Sequence, residues 1–345
     1  MRSERSNLLN GSLIGFRYDP LLLFVIVLFI TSCGNEPTQQ SQEPTANSQQ
    51  PTYKQVSPNF NADSAYYFVQ KQVDFGPRVT GSEESKKCAD WMVKEFKKFA
   101  DNVIEQKEQI KSFDAGKLNI RNIIVEFNPS AKKRIMICTH WDSRPYADED
   151  PNTANQNKPI LAADDGASGP AVMLEMARLL HDKKPAIGID FVCFDAEDLG
   201  KREYEHSYCL GSQYWGKHLH KPGYKAEFGV LLDMVGGAGA KFIWEANSVK
   251  YAQPILRKVW DQAVELGFSS QFYYYNAPGG IEDDHYYVNE YTGIPTIDII
   301  HYTESTRSSF PPYHHTMGDN MSIIDRGTLR SVGQTLLEVI YKESN

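Results

Sequence analysis

The sequence predicts an α/β domain: a single unit with a mixed, mostly parallel central sheet and helices on both faces. Three observations carry this. From residue 61 to 341, segments of helical periodicity alternate with short apolar runs, the order that gives strand–helix–strand crossovers. Polar islands at 139–142, 163–166, 195–198, 232–234 and 314–316 sit where apolar runs stop, and in such sheets ligands gather at the carboxyl ends of strands. After the N-terminal region no break in composition interrupts the chain, so its 345 residues, 41% hydrophobic and 23% charged, read as one large core.

Each element has its own signal. Asn61 or Asp63 can cap a helix running to Gln72, and Ser82 opens a second that carries Trp91, Met92, Phe96 and Phe99 at helical spacing. Extended runs follow at 103–113 and 118–127. Residues 134–138 and 187–194 suit buried strands. Between them, 167–181 sets Val172, Met173, Met176, Leu179 and Leu180 on one helical side, which implies a parallel pair joined by a crossover. The alternation continues through a strand at 228–234, a helix at 254–266, strands at 271–275 and 295–300, and a closing helix at 326–341.

The leading region reads differently. Arg2, Arg5 and Arg17 precede an apolar run over 20–30, too short for a comfortable membrane span and suited to a signal-peptide core. It ends in Ile30, Thr31, Ser32 and Cys33, which resembles a bacterial lipobox. The expected organisation is a lipoprotein signal peptide over 1–32, a disordered tether over 33–57 rich in Gln, Pro, Ser, Thr and Asn, and a catalytic domain over 58–345. Lipid on Cys33 would make this an exported bacterial lipoprotein at the periplasmic face of the inner or outer membrane. Export permits disulfides, and Cys88, Cys138, Cys193 and Cys209 allow three full pairings between which the sequence does not choose. A net charge of −8, with dispersed acids and no basic stripe, argues against a nucleic-acid partner.

The islands carry the chemistry. Carboxylates and imidazoles collected at strand ends are the donors zinc accepts, and a catalytic zinc keeps one position open for substrate or water. The chain therefore reads as a zinc enzyme.

Several ordered motifs then carry a resemblance over about residues 60–343. Residues 75–82, 140–143, 163–169, 195–198 and 315–319 resemble the zinc aminopeptidases with co-catalytic metals. Within that superfamily, 281–285, 293–295 and 310–317 more closely resemble the animal-type glutaminyl cyclases, which have bacterial relatives. The resemblance implies zinc on Asp165, Asp198 and His315, Glu197 as general acid/base, and Asp233 with Asp283 as a carboxylate pair deeper in the pocket. The expected activity is a monomeric glutaminyl-peptide cyclotransferase, an acyltransferase that turns the N-terminal glutamine of peptides or proteins into pyroglutamate and releases ammonia. In the peptidase alternative, His140 and Asp233 bind a second zinc that Asp165 bridges, and Glu197 activates a water. A third alternative is an inactive exported peptide-binding protein on the same fold.

Two departures matter. Asp198 stands where both families commonly have Glu, so its shorter arm requires the loop to come closer to the metal. The tryptophans with which animal cyclases line their pocket fall on Glu203 and His314 here, so the pocket is built differently. Trp215, Phe310, Tyr313, Glu282 and His314 are the expected lining, with Trp244 as a further candidate. Side chains of neighbouring residues on an extended segment face opposite ways, which makes His314 a wall residue beside the ligand His315. His285 reads as structural, Asp142 and Asp164 as turn or supporting residues, and 148–150 as a solvated acidic turn.

Overall fold

A computed structural model describes residues 53–113, 116–306 and 308–344. The predicted signal peptide, Cys33 and the tether up to residue 52 lie outside them. Among the described residues no helix is long and apolar enough to cross a membrane.

The six strands of the central sheet are β1 (Asn102–Lys111), β2 (Lys117–Phe127), β3 (Arg134–His140), β4 (Gly188–Phe194), β5 (Phe228–Asp233) and, after a separate ribbon, β8 (Thr296–Ile300). Their order is β1-β2-β4-β3-β5-β8. β4, β3, β5 and β8 run parallel, and β2 and β1 continue the sheet antiparallel beyond β4. The crossover from β3 to β4 is α3 (Ser168–Asp182). Strand alternation divides the core: Ile135 and Ile137 of β3 join the cluster packed by α1 (Ala62–Val73), α2 (Glu83–Phe96), α3, α5 (Ala246–Glu265) and α7 (Arg326–Glu343). Met136 and Cys138 face the smaller cluster on the opposite side, beneath α4 (Leu210–Lys217) and α6 (Asp284–Thr292).

Local signals act where expected at the start: Asn61 accepts from the backbone of Asp63 and Ser64, and Ser82 accepts from Ser85, each an N-cap. Other details differ from the sequence reading. The helix expected from residue 254 starts at Ala246, capped by Glu245, and breaks at Ala252, just before Pro254. Proline lacks the N–H and clashes with the preceding turn, so the break belongs inside the helix rather than at its start. The strand expected at 271–275 is β7 (Phe272–Asn276), which pairs with β6 (Phe242–Trp244) in a two-stranded ribbon outside the central sheet.

The tether also ends earlier than residue 57. The Tyr53 hydroxyl donates to Glu338 at 2.6 Å, and the N–H groups of Val56 and Ser57 donate to it at 2.8 and 2.9 Å. Glu338 is fully buried on α7, and a buried carboxylate needs such donors, so the strap from residue 53 is part of the folded domain. Cys88, Cys138, Cys193 and Cys209 are all buried and free.

Candidate active site

His140 ends β3, Asp233 ends β5, the 195–198 turn follows β4, and the loop after β8 returns through His314 and His315. The islands thus converge above the carboxyl edge of the parallel strands. Two carboxylates fix the loops. Asp142 accepts from the N–H groups of Glu197 and Asp198 at 3.0 and 3.1 Å. Asp319 accepts from those of Asp164 and Asp165 at 2.8 and 3.0 Å. Non-glycine residues at or beside the site that take positive φ include Ala196 (56°), Cys209 (56°), Met234 (48°), Ser309 (67°) and His315 (51°). Such backbone persists where surrounding bonds over-determine it, and it clusters at functional sites.

The expected metal ligands Asp165, Asp198 and His315 offer donor atoms that all lie within 4.8 Å of one another. His315 Nε2 is 3.1 Å from Asp198 Oδ1 and 3.6 Å from Asp165 Oδ2. Burial, followed by the charge of His314, holds His315 well below the usual imidazole range, leaving the neutral ring a metal binds. Burial disfavours an ionised Asp165, yet His140, His314 and His315 together keep its carboxyl below the ordinary range. Asp198 Oδ2 is buried without a hydrogen-bond partner. An acid–acid–imidazole set with an orphaned buried oxygen fits zinc. A second set, His140, Asp165 and Asp233, is equally compact, but His140 Nε2 already lies 3.2 Å from both carboxylates.

The short arm of Asp198 has its own support. Arg144, 2% exposed, donates from Nη1 to the Asp198 carbonyl at 3.0 Å and to Oδ1 at 3.1 Å, and its other nitrogens grip Asp148. The acidic turn at 148–150 is solvated only in part: Asp148 is exposed and Glu149 half-buried, but all three carboxylates have partners. Asp148 pairs with Arg144, Glu149 lies 3.3 Å from His314 Nδ1, and Asp150 accepts from the Met317 N–H at 2.9 Å. His314 and His315 do not face opposite ways as an extended segment would have them. Their rings stack at 3.6 Å and both border the cavity, because the chain turns left-handed at His315 instead of running extended.

A cavity of about 480 Å³ opens over this centre. Glu197, Asp233, Asp283, Glu282, Phe310 and His314 line it, as expected. Trp215 does not. It sits on α4, fully buried between Phe194 and Tyr224 on the far side of the sheet, with its indole N–H donated to His220. Tyr313 lies behind the site, where its hydroxyl donates to Asp164 Oδ2 at 2.6 Å, and Trp244 belongs to the main core. Met234, Ile281 and Ile300 give the cavity apolar surface in place of tryptophan.

At the cavity floor Asp283 caps α6, accepting from the Asp284 N–H through Oδ1, and its Oδ2 is buried without a partner. Burial and the charge of Asp233 push its carboxyl up to about 7. Burial likewise raises Glu197 well above the ordinary range. His285 lies beneath, 3.0 Å from Glu245. Arg144, Asp319 and Cys209 are site residues without a role in the sequence-based expectation: Asp319 lies within the 315–319 motif, whereas no local signal marks Arg144 or Cys209.

The model for peptidase family M28 matches residues 122–340. The chain is 25% identical over 268 residues to a glutaminyl-peptide cyclotransferase of Bos taurus, covering 69% of this chain and 70% of that one. Among solved structures, a Zn-dependent exopeptidase from Parabacteroides distasonis is 47% identical with a TM-score of 0.81, covering 83% of this chain and 99% of that one. Tannerella forsythia glutaminyl cyclase is 48% identical with a TM-score of 0.80, covering 82% and 99%.

Proposed function

The chain belongs to peptidase family M28, and from that premise we propose that it is a glutaminyl-peptide cyclotransferase acting on N-terminal glutamine of peptides or proteins. The observation that carries this reading is Asp283. Asp283 lines the cavity together with Asp233 and Glu197, where an amide NH₂ group would supply a donor to its buried carboxylate. The similarity to solved and curated glutaminyl cyclases supports it.

In this reaction the substrate's α-nitrogen bonds to its own side-chain amide carbon, the bond from that carbon to the amide nitrogen breaks, and ammonia leaves. Asp165, Asp198 and His315 would hold a zinc ion, which would supply polarisation of the amide carbonyl. Glu197 takes the proton from the attacking amine and delivers it to the departing nitrogen. Asp283 and Asp233 accept hydrogen bonds from the amide nitrogen and orient it. Because nucleophile and electrophile are tethered, the cavity mainly has to fold the glutamine side chain, which Ile300, Met234 and Phe310 do by excluding other conformers. No water nucleophile is needed.

We assign one zinc to the Asp198 set, where Asp198 Oδ2 is buried without a partner, whereas in the His140 set Nε2 already lies 3.2 Å from both carboxylates. The second set, His140 with Asp165 and Asp233, favours the two-metal aminopeptidase as the competing reading. The test is zinc stoichiometry combined with two assays on the purified domain. The cyclase releases ammonia from a glutaminyl peptide, leaves a leucyl amide intact, binds one zinc and loses pyroglutamate formation in Asp283→Ala. Brisk leucyl amide cleavage with two zincs, unaffected by Asp283→Ala, would replace this reading with the peptidase.

We further propose that the enzyme is a monomer anchored by lipid on Cys33 at the periplasmic face of a bacterial membrane. The apolar run ending at Ile30, Thr31, Ser32 and Cys33 supports this. A mature Cys33→Ser protein that still partitions with membranes would count against it.

A further inference from the structure

A glutamate that moves a proton must keep its carboxylate aimed, yet its side chain has several rotamers. Among the described residues one side chain hydrogen-bonds the Glu197 carboxylate: the Cys209 thiol donates to Oε1 at 3.3 Å. The other oxygen, Oε2, lies 3.9 Å from His140 Nδ1.

The backbone is built around this contact. The Cys209 N–H donates to the Glu197 carbonyl at 2.9 Å and the Leu210 N–H to that of Ala196 at 2.9 Å, which ties the start of α4 to the turn carrying the acid/base. Cys209 itself has φ 56°, in the left-handed region that favours glycine, and its side chain does not cap α4. Glycine would satisfy that backbone without strain. The side chain kept there instead is fully buried and meets Glu197.

We propose that Cys209 is a positioning residue for Glu197, its thiol engaging Oε1 so that Oε2 is the oxygen left to carry the proton. The proposal rests on the reading of Glu197 as the proton carrier. A thiol suits the task. Burial, with the negative charges of Glu197, Asp284 and Asp283 around it, keeps Cys209 protonated and therefore a donor. As a weak donor it directs the carboxylate without stabilising the anion as strongly as a hydroxyl would.

The test is a double-mutant cycle on the full zinc-loaded enzyme, reading kcat and KM by ammonia release and zinc by elemental analysis. Cys209→Ala should lower kcat by roughly ten- to a hundredfold through misorientation of the base, with KM and zinc content little changed. Cys209→Gly, which that backbone favours, should lose kcat equally and so separates lost positioning from a folding defect. Cys209→Ser, which restores a donor, should recover much of the rate. Adding Cys209→Ala to Glu197→Gln should cost little more, because the cysteine acts through the glutamate. Wild-type kcat in the Ala and Gly variants, or losses that multiply in the double mutant, would overturn the proposal. Failure of the cyclase reading shows separately, as a wild type that releases no ammonia. The same cycle then runs on leucyl amide hydrolysis, where Glu197 is again the base, and the same outcomes decide.

Discussion

Replacing Asp142 with Asn should damage catalysis more than stability, and the structure sets the size of both effects. The Asp142 carboxylate uses one oxygen for the Glu197 N–H and the other for the Asp198 N–H, at 3.0 and 3.1 Å, and the residue is 1% exposed. Asparagine keeps the shape but can accept through one of its two terminal atoms, so one buried N–H loses its partner and faces an NH₂ group. Leaving one such donor unsatisfied costs about 2 kcal/mol, a fall in Tm of roughly 4 to 8 °C for a large domain. The same turn carries Glu197 and Asp198, the proposed proton carrier and one of the proposed zinc ligands. A shift of a fraction of an ångström there should cost kcat roughly ten- to a hundredfold. Zinc affinity should weaken as Asp198 loosens, although Arg144 still holds its carbonyl. Thermal unfolding, steady-state ammonia release and zinc retention against a chelator measure the three effects. An Asp142→Asn enzyme with unchanged Tm and kcat would show that the turn is held by Arg144 and by the Cys209 and Leu210 N–H groups without Asp142, refuting the clamp.

His315→Ala removes one of the three proposed zinc ligands, so zinc content by elemental analysis should collapse together with activity. Full zinc in that variant would move the metal toward His314 or His140. Glu197→Gln keeps the shape without a transferable proton, so turnover should drop about a hundredfold or more with zinc still bound. Wild-type turnover would send the search for the proton carrier to Asp233 and Asp283. Acid should destabilise the fold through His220 and His301, whose burial pushes both down to about 4. Unfolded imidazoles near 6.5 bind more protons, so the stability these groups give is complete above about pH 6.5 and is lost as pH falls toward 4, each costing about 2 kcal/mol near pH 5. Urea midpoints near pH 7.5 and pH 5 measure this, and His301→Gln should reduce the difference; an unchanged difference would exonerate that histidine.

The sequence reading succeeded where burial dominates. β3, β4, β5 and β8 are covered on both faces, so each appears as a short, mainly apolar run, broken once in β4 by the buried Asp190 and once in β8 by the buried Asp298. It missed α4 and α6 for the opposite reason. α4 is eight residues long and starts at a left-handed cysteine without a side-chain cap, and α6, with the sequence DHYYVNEYT, has almost no apolar stripe. Both are held by the sheet and by each other rather than by local propensity. Motifs located the residues that converge at strand ends, because convergence there follows from topology. They could not say which face of the sheet an intervening helix covers, and so Trp215, close to Glu197 in the chain, went to the pocket when it belongs to the opposite core. The partners of Asp198 and His315 were hidden as well, since Arg144 and Asp148 act across chain distances that leave no periodic trace.

Asp319 has a consequence for the order in which the molecule assembles. Its carboxylate joins the loop after β8 to the N–H groups of Asp164 and Asp165, spanning 155 and 154 residues of chain. The three donors of the Asp198 set come from before α3, after β4 and after β8, so they become neighbours only when the last strand of the sheet has docked and that loop has closed over it. Contacts of such separation form late, after the loop entropy has been spent. Metal capture is then a closing event of folding rather than a template for it. A refolding chain should regain its helical signal before it competes with a chromogenic chelator for zinc, and the delay between the two should lengthen when Asp319 is replaced.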